Sequence, residues 1–475
     1  MRLGRMWAEY LIPPHTMVSD TNPDPTLYMD YNATTPLAAE VKADIADSLH
    51  RHWANPSSTH PPGRSARRVL EEARSHVAAA IGAQPEHVIF TSGGTEANNM
   101  VVRGSLEFYR ATGRRGTPHL IISDTEHDAV EAPVADLQRR RLCSVTRLPC
   151  RAGGRVSVSE LRAALSPDTC LVSVMHANNE TGVVNDIEAI GRALSESPHR
   201  QHIWLHTDSA QTVGKLPVDV CRLGVDFLTV VGHKLYGPRI AALWASALGL
   251  TRGADGSACI TLLRGGGQEG GVRPGTEITP LVRGLGTACR LVQQGLERDR
   301  QHMERLRDLL ERRLLETGVA ESINLRDSPR LPNTCSAVLS SRRSGREVLL
   351  RCRRLLASVG SACHETPAAP AGDRDTATTV VTGAREPRTE TPETSGDVGD
   401  EGVSAAPGLC GAPDGARGVG GLSGVLLRSG VSPKDARRTV RLSLGRATSE
   451  QDVLDVVEDL RQALREAGEE QEDAA

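Results

Sequence analysis

Thr229-Val230-Val231-Gly232-His233-Lys234-Leu235-Tyr236-Gly237-Pro238 begins inside an apolar run that starts at Phe227. The run Phe227 to Val231 predicts a buried strand, and Gly232 turns it directly into a basic pair. Lys234 therefore stands past the carboxyl end of a strand, where open α/β sheets keep their ligand crevice. Taken alone, a lysine after a strand is as well explained by a solvated surface position. The rest of the chain has to decide between the two.

Outward from this stretch, Ile203 to His206 predicts a neighbouring strand that ends in Thr207-Asp208-Ser209-Ala210-Gln211. Earlier, His87 to Phe90 is a strand that Thr91-Ser92-Gly93-Gly94-Thr95-Glu96 turns into a helix. Amides at such a helix start point outward with the positive end of the dipole and suit a phosphate. His119 to Ile122 is another strand, after which His127 opens a helix. Thr169 to Met175 is a further one, followed by His176-Ala177-Asn178-Asn179-Glu180-Thr181-Gly182. Strand–helix alternation over residues 87–245 predicts a doubly wound, mostly parallel sheet in a large domain. Gly93 to Thr95, His127, Asn179, Asp208 with Gln211, and His233-Lys234 all fall at predicted strand carboxyl ends. One shared site explains that alignment better than separate accidents do.

Composition narrows the function. The chain has 475 residues and a formal net charge of −3, with no basic field to suggest nucleic acid as a partner. No apolar run approaches the roughly 20 residues needed to cross a bilayer, so a membrane is not expected. The ten cysteines form no Cys-x-x-Cys pair, which argues against a structural zinc site and fits a reducing, cytosolic compartment. No metal is expected. Residues 1–27 carry Glu9 and Asp20 and lack an apolar h-region, so they are expected to be a disordered lead rather than a targeting signal.

The remaining stretches place further candidates. Leu263 to Glu277 is too glycine-rich for core and too long for a simple turn, and long ordered loops are usually functional. Residues 281–318 suggest two helices, the second heavily charged. Beyond Leu331 the pattern becomes α+β, with a strand at Thr334–Leu339, a helix at Arg346–Leu355 and Cys363 in a loop of small residues. Residues 365–421 contain no Phe, Trp or Tyr and a single Leu, so they are expected to stay disordered. The division expected is 28–290 as a large domain and 291–475 as a small one that includes this insert.

These residue types suit pyridoxal 5′-phosphate, which needs a lysine for covalent attachment and an aspartate for its pyridinium nitrogen. Lys234 would attach the cofactor and later carry a proton at the substrate Cα. Asp208 would pair with the ring nitrogen. Backbone amides near Gly94, Thr95 and His233 would hold the phosphate, Asn179 and Gln211 would donate to the ring oxygen, and His127 would stack on the ring. Arg441 would fork onto a substrate carboxylate, with Asn32 adding a hydrogen bond. Cys363 would attack or protonate a chalcogen on the substrate Cβ.

Several longer motifs carry a resemblance. Tyr-Met-Asp-Tyr-Asn-Ala-Thr-Thr-Pro-Leu (28–37), Asn-Pro-Ser-Ser (55–58), Thr-Ser-Gly-Gly-Thr-Glu-Ala-Asn-Asn (91–99) and Ala-Asn-Asn-Glu-Thr-Gly (177–182) resemble the NifS-like cysteine desulfurases of the class V aminotransferase group. So do His-Thr-Asp-Ser-Ala-Gln (206–211), Gly-His-Lys-Leu-Tyr-Gly-Pro (232–238), Arg-Pro-Gly-Thr-Glu (273–277) and Arg-Leu-Ser-Leu-Gly-Arg (441–446). Leu-Pro-Asn-Thr-Cys (331–335) and Ala-Ser-Val-Gly-Ser-Ala-Cys-His (357–364) resemble the branch of that family that cleaves selenocysteine. The resemblance implies a fold-type I α/β enzyme, with a mostly parallel seven-stranded sheet in the large domain and a small α+β C-terminal domain. It also implies a homodimer in which Thr276 reaches the partner subunit's cofactor phosphate. The expected activity is release of selenium from L-selenocysteine, leaving L-alanine, with a selenium acceptor such as selenophosphate synthetase. Two alternatives stand beside it, a cysteine desulfurase donating persulfide sulfur and a binding partner that has lost turnover. The pattern departs from the family twice. Many desulfurases have a phosphate-binding serine where this chain has Val231, and residues 365–421 are either a natural insert or translated non-coding sequence.

Overall fold

The computed structural model describes residues 26–360 and 422–472. Cys363, the expected insert and residues 1–25 of the expected lead lie outside them. In chain order the first half contains β1 (Leu27–Tyr28), α1 (Ala39–Arg51), α2 (Pro61–Ala80), β2 (Val88–Thr91), α3 (Gly94–Ala111), β3 (His119–Ser123), α4 (Asp128–Arg139) and β4 (Ser144–Leu148). It continues through α5 (Val158–Ala164), β5 (Thr169–Ser173), α6 (Ile187–Ser195), β6 (Trp204–Asp208), α7 (Val220–Leu223), β7 (Phe227–Val231) and β8 (Ala241–Ala245). The rest is α8 (Thr279–Glu316), β9 (Ala320–Ile323), β10 (Thr334–Leu339), α9 (Gly345–Leu349), β11 (Leu355–Leu356), α10 (Gly424–Arg428), α11 (Pro433–Arg438), β12 (Thr439–Ser443) and α12 (Glu450–Glu472).

The large sheet has seven strands in the order β2-β8-β7-β6-β5-β3-β4. Its pairs are parallel from β7 through β4, while β8 runs antiparallel to both β7 and β2. Successive side chains of a strand face opposite layers, and the sequence obeys this. Ile121, Leu205, Leu228 and Val230 pack with Leu70 and Val77 of α2 and Leu285 of α8. Leu120, Ile122, Trp204 and Phe227 pack instead with Val101 and Phe108 of α3 and Val134 of α4. Trp204 stacks on Phe108 at 4.4 Å between ring centroids and meets Phe227 edge-on at 4.8 Å. Both faces of the sheet are thus covered, and its strand ends are left to carry the site.

A second, antiparallel sheet, β12-β10-β9, forms the small domain with a core that includes Leu306, Leu310, Cys335, Val440, Leu442 and Val456. Three expectations are corrected here. Residues 281–318 do not form two helices, because α8 is one helix of 38 residues. Its buried stripe of Val282, Leu285, Cys289 and Val292 runs on past Gly295 and Asp299 to Met303, Leu306, Leu310 and Leu314. A domain boundary at residue 290 therefore falls within a helix that packs on both cores. The expected helix Arg346–Leu355 stops at Leu349, and Leu355 pairs with Leu27 in a short parallel ladder. Leu27, expected to belong to a disordered lead, is buried in the small-domain core for that reason.

Candidate active site

The carboxyl ends of β2, β3, β5, β6 and β7 bring the predicted polar clusters to one side of the sheet. After β7 the chain closes a tight turn, in which the Gly232 carbonyl accepts from the amides of Leu235 at 3.0 Å and Gly237 at 2.9 Å. Lys234 is half-buried in this turn, and its Nζ donates to the carbonyls of Asn32 at 2.6 Å and Ala33 at 2.7 Å. The loop after β1 is held in place by backbone as well, since the Thr35 amide donates to the His233 carbonyl at 2.9 Å. Tyr236 takes a left-handed conformation at φ 65°, a strain that the surrounding bonds compensate. Its amide donates to Thr35 Oγ1 at 2.8 Å and its hydroxyl accepts from the Arg446 amide at 2.7 Å.

The Asn32 carbonyl is a hub. It accepts from Gln211 Nε2 at 2.9 Å as well as from Lys234. Gln211 Oε1 in turn accepts from Lys215 Nζ at 2.8 Å, which fixes which end of the Gln211 amide faces Asn32. Lys215 is almost sealed from solvent, and burial, with Lys234 and Arg441 nearby, pushes its ammonium down to about 7. No motif in the sequence marks Lys215. The side chain of Asn32 does not point at a ligand: its Nδ2 donates to Thr334 Oγ1 at 2.9 Å and to the Asn179 carbonyl at 3.2 Å. Its Oδ1 accepts from Asn333 at 3.1 Å. Asn32 is therefore corrected from a side-chain contact to substrate to a backbone acceptor beside Lys234.

Asp208 closes β6 with Oδ1 accepting from the Ala210 amide at 2.9 Å and Oδ2 accepting from Asn98 Nδ2 at 2.7 Å. Asn98 lies one turn into α3 and was quoted in the sequence without a role. That helix starts at Gly94, and Gly93 before it supplies no side-chain cap, so its first amides are open to an anion. Gly94 packs against the end of β7, where a Cβ would lie 2.7 Å from Val231 Cγ2. Val231 thus adds apolar packing rather than a hydroxyl, and amides with Thr95, which is exposed, are the anion donors present. His127 caps α4 through Nδ1, which accepts from the Ala129 amide at 3.0 Å and leaves the proton of a neutral ring on Nε2. Burial and the adjacent Lys234 push His233 down to about 4, so it is neutral and accepts or donates at Thr34 Oγ1, 3.1 Å away.

Arg441 of β12 is 2% exposed, with Nη2 paired to Asp30 Oδ1 at 2.7 Å and Nη1 donating to the Asn179 carbonyl at 3.0 Å. Asp30 Oδ2 is held by Ser358 Oγ at 2.9 Å. One edge of the predicted substrate fork is therefore already engaged by this chain, and Asp30, like Lys215 and Asn98, carries no role in the sequence reading. The Asn179 side-chain amide takes no partner among the described residues. Thr276 is exposed and joins none of these bonds. Its loop is tied down by Arg273 to Glu96 at 2.8 Å and Arg74 to Glu269 at 2.8 Å. Lys234, Gln211, Asn179 and Arg441 share one hydrogen-bonded network, and Asp208 joins α3 to the end of β6.

Comparison with known proteins agrees with this geometry. The aminotransferase class-V family model matches residues 27–376. The chain is 40% identical to selenocysteine lyase from Xenopus laevis, over 93% of this chain and 95% of that one. It is 38% identical to cysteine desulfurase from Homo sapiens, over 72% of each. A solved NifS-like protein superposes with a TM-score of 0.73 at 25% identity, covering 93% of this chain and 99% of the other. The chain belongs to the class-V aminotransferase family, on its NifS-like, selenocysteine lyase branch.

Proposed function

We propose that the protein is a pyridoxal phosphate-dependent lyase that converts L-selenocysteine to L-alanine and releases selenium. The observation that carries this choice is coverage: likeness to selenocysteine lyase extends over 93% of the chain, while likeness to cysteine desulfurase extends over 72%. The residues present fit the cofactor. A carboxylate oriented by two donors, a lysine in reach of the same crevice and an uncapped helix start lie on one side of the sheet. Bound there, pyridoxal phosphate would supply an aldehyde for amine attachment and a ring that withdraws electrons from the substrate Cα.

The chain's own groups account for the rest. Asp208, already fixed by Asn98 and Ala210, offers its carboxylate to a ring N–H and favours the charged ring. The Gly94 and Thr95 amides receive the phosphate at the positive end of α3. Gln211, turned by Lys215, presents Nε2 rather than Oε1, so it is a donor to the ring oxygen, and Asn179 is the second. His127, its Nδ1 occupied by the helix cap, stacks on the ring. Lys234 would hold the cofactor and would carry a proton at the substrate Cα. Arg441, held rigid by Asp30, keeps a positive charge where a substrate carboxylate has to lie. Cys363 is the thiol we assign to the departing selenium, by proton donation or attack.

We also assign a homodimer in which Thr276 meets the partner subunit's phosphate. Leu49, Trp53, Leu263 and Ile278, each more than half exposed, support a covered face. A cytosolic location is supported by the eight described cysteines, all of them free thiols. A selenium acceptor such as selenophosphate synthetase would take the product. Cysteine desulfurase activity is the second reading, favoured by the 38% identity to that enzyme. Protein reconstituted with pyridoxal phosphate is expected to be yellow, with a visible absorbance that Lys234→Ala abolishes. A wild-type protein that is colourless once unbound cofactor has been removed contradicts the proposal.

A further inference from the structure

Under the sheet face that packs against α3 runs a line of polar groups in an otherwise apolar layer. Ser173, His206 and Thr229 sit on the adjacent strands β5, β6 and β7 and are fully buried, as is Asn98. Ser173 Oγ lies 2.8 Å from His206 Nδ1, and His206 Nε2 lies 3.2 Å from Thr229 Oγ1. Thr229 Oγ1 donates to Asn98 Oδ1 at 2.7 Å, and Asn98 Nδ2 donates to Asp208 Oδ2 at 2.7 Å. Trp204 and Phe227, on the same face, surround this line with rings. Polar groups this deep survive only when every member has a partner.

The line has a direction. A hydroxyl has one proton to give, so if Thr229 donates to Asn98 it must accept from His206 Nε2–H. His206 then accepts at Nδ1 from the Ser173 hydroxyl. Burial keeps His206 neutral by pushing it down to about 4, which leaves it one N–H to place. The reverse direction would turn the Asn98 carbonyl toward Asp208, and two acceptors 2.7 Å apart are compatible only with a proton on the carboxyl group.

We propose that Ser173, His206 and Thr229 are positioning residues that lock the Asn98 amide with its NH2 toward Asp208, and so hold Asp208 as an ionised acceptor for the cofactor's ring nitrogen. This rests on the pyridoxal phosphate reading above. None of the three touches the crevice, so they act on the chemistry only through Asn98 and Asp208.

The test uses holoenzyme reconstituted with pyridoxal phosphate labelled with nitrogen-15 in its ring. Wild type and Thr229→Ser, which keeps the hydroxyl, are expected to show the chemical shift of a protonated ring nitrogen. Thr229→Val is close to isosteric and removes the hydroxyl. It is expected to move the shift toward the neutral pyridine and to lower kcat by about tenfold, the size of one hydrogen bond to a charged group, with KM little changed. Added to Asn98→Ala, the same substitution is expected to cause no further loss, because the relay then has nothing to orient. A Thr229→Val enzyme that binds cofactor and keeps the wild-type nitrogen shift overturns the proposal. If Thr229→Val does not fold, Ser173→Ala decides in the same way, an unchanged shift again overturning it. Wild-type protein that takes up no labelled cofactor overturns the functional reading instead.

Discussion

Burial sets the ionisation of the side chains around Lys234 more than their pairing does. His233, His206 and His176 are each pushed down to about 4, and Lys215 to about 7. Glu126 moves the other way, to about 8, because burial behind β3 outweighs the bonds that one of its oxygens accepts from Ser123 Oγ at 2.5 Å and the Met175 amide at 2.7 Å, both of which pull it down. Its other oxygen has no partner among the described residues, which suits a protonated acid. A carboxyl group whose folded value is raised holds its proton in the fold and loses it on unfolding. Wild-type stability should therefore fall as pH rises from the ordinary glutamate range to about 8 and level off above. Glu126→Gln lacks that loss, so its advantage over wild type in thermal unfolding is expected to be small at pH 4.5 and largest above pH 8. A constant difference across that range contradicts the burial argument. Residue chemistry was legible in the sequence because lysine, aspartate and glycine types mark what a cofactor needs. Amide orientation was not. Nothing in the letters says that Asn32 spends its side chain on Thr334 and presents its carbonyl instead, or that Asn98 is turned by Thr229.

At the scale of elements, the sequence was most legible where apolar runs were long. Phe227–Val231 is a strand as predicted, and the runs predicted at Ile203–His206 and Thr169–Met175 form Trp204–Asp208 and Thr169–Ser173, because each is buried on both faces. Strands β4, β8 and β9 gave no such signal. β4 is an edge strand with exposed and half-buried residues, β8 is rich in alanine, and β9 has four residues, two of them exposed. α8 was misjudged because its glycines and its charged second half resemble a break. The glycines have another cause, since a Cβ at Gly286 would lie 2.5 Å from the Ala73 Cα of α2. Helix propensity favours alanine over glycine by about 1 kcal/mol. Overpacking against backbone costs about 1–3 kcal/mol, so the clash should win. Gly286→Ala is expected to lower the midpoint of chemical denaturation, and a stabilised variant would show that α2 and α8 separate freely.

Over the whole molecule, the N-terminal strand and the C-terminal segment meet in one small domain, and its placement fixes Arg441 against Asp30 of the loop that also cradles Lys234. Contacts between residues hundreds of positions apart leave no local periodicity in the sequence. The exposed Trp53, at 73%, bears on assembly. Trp53→Arg is expected to shift the proposed dimer to monomer in sedimentation and to lower turnover, since Thr276 is assigned to the partner subunit's site. A variant that stays dimeric removes Trp53 from the interface. Substrate choice is the property that decides the function. Purified holoenzyme given equal concentrations of L-selenocysteine and L-cysteine, with alanine measured in each, is expected to form alanine far faster from selenocysteine. Comparable rates from both, or alanine from cysteine alone, contradict the account.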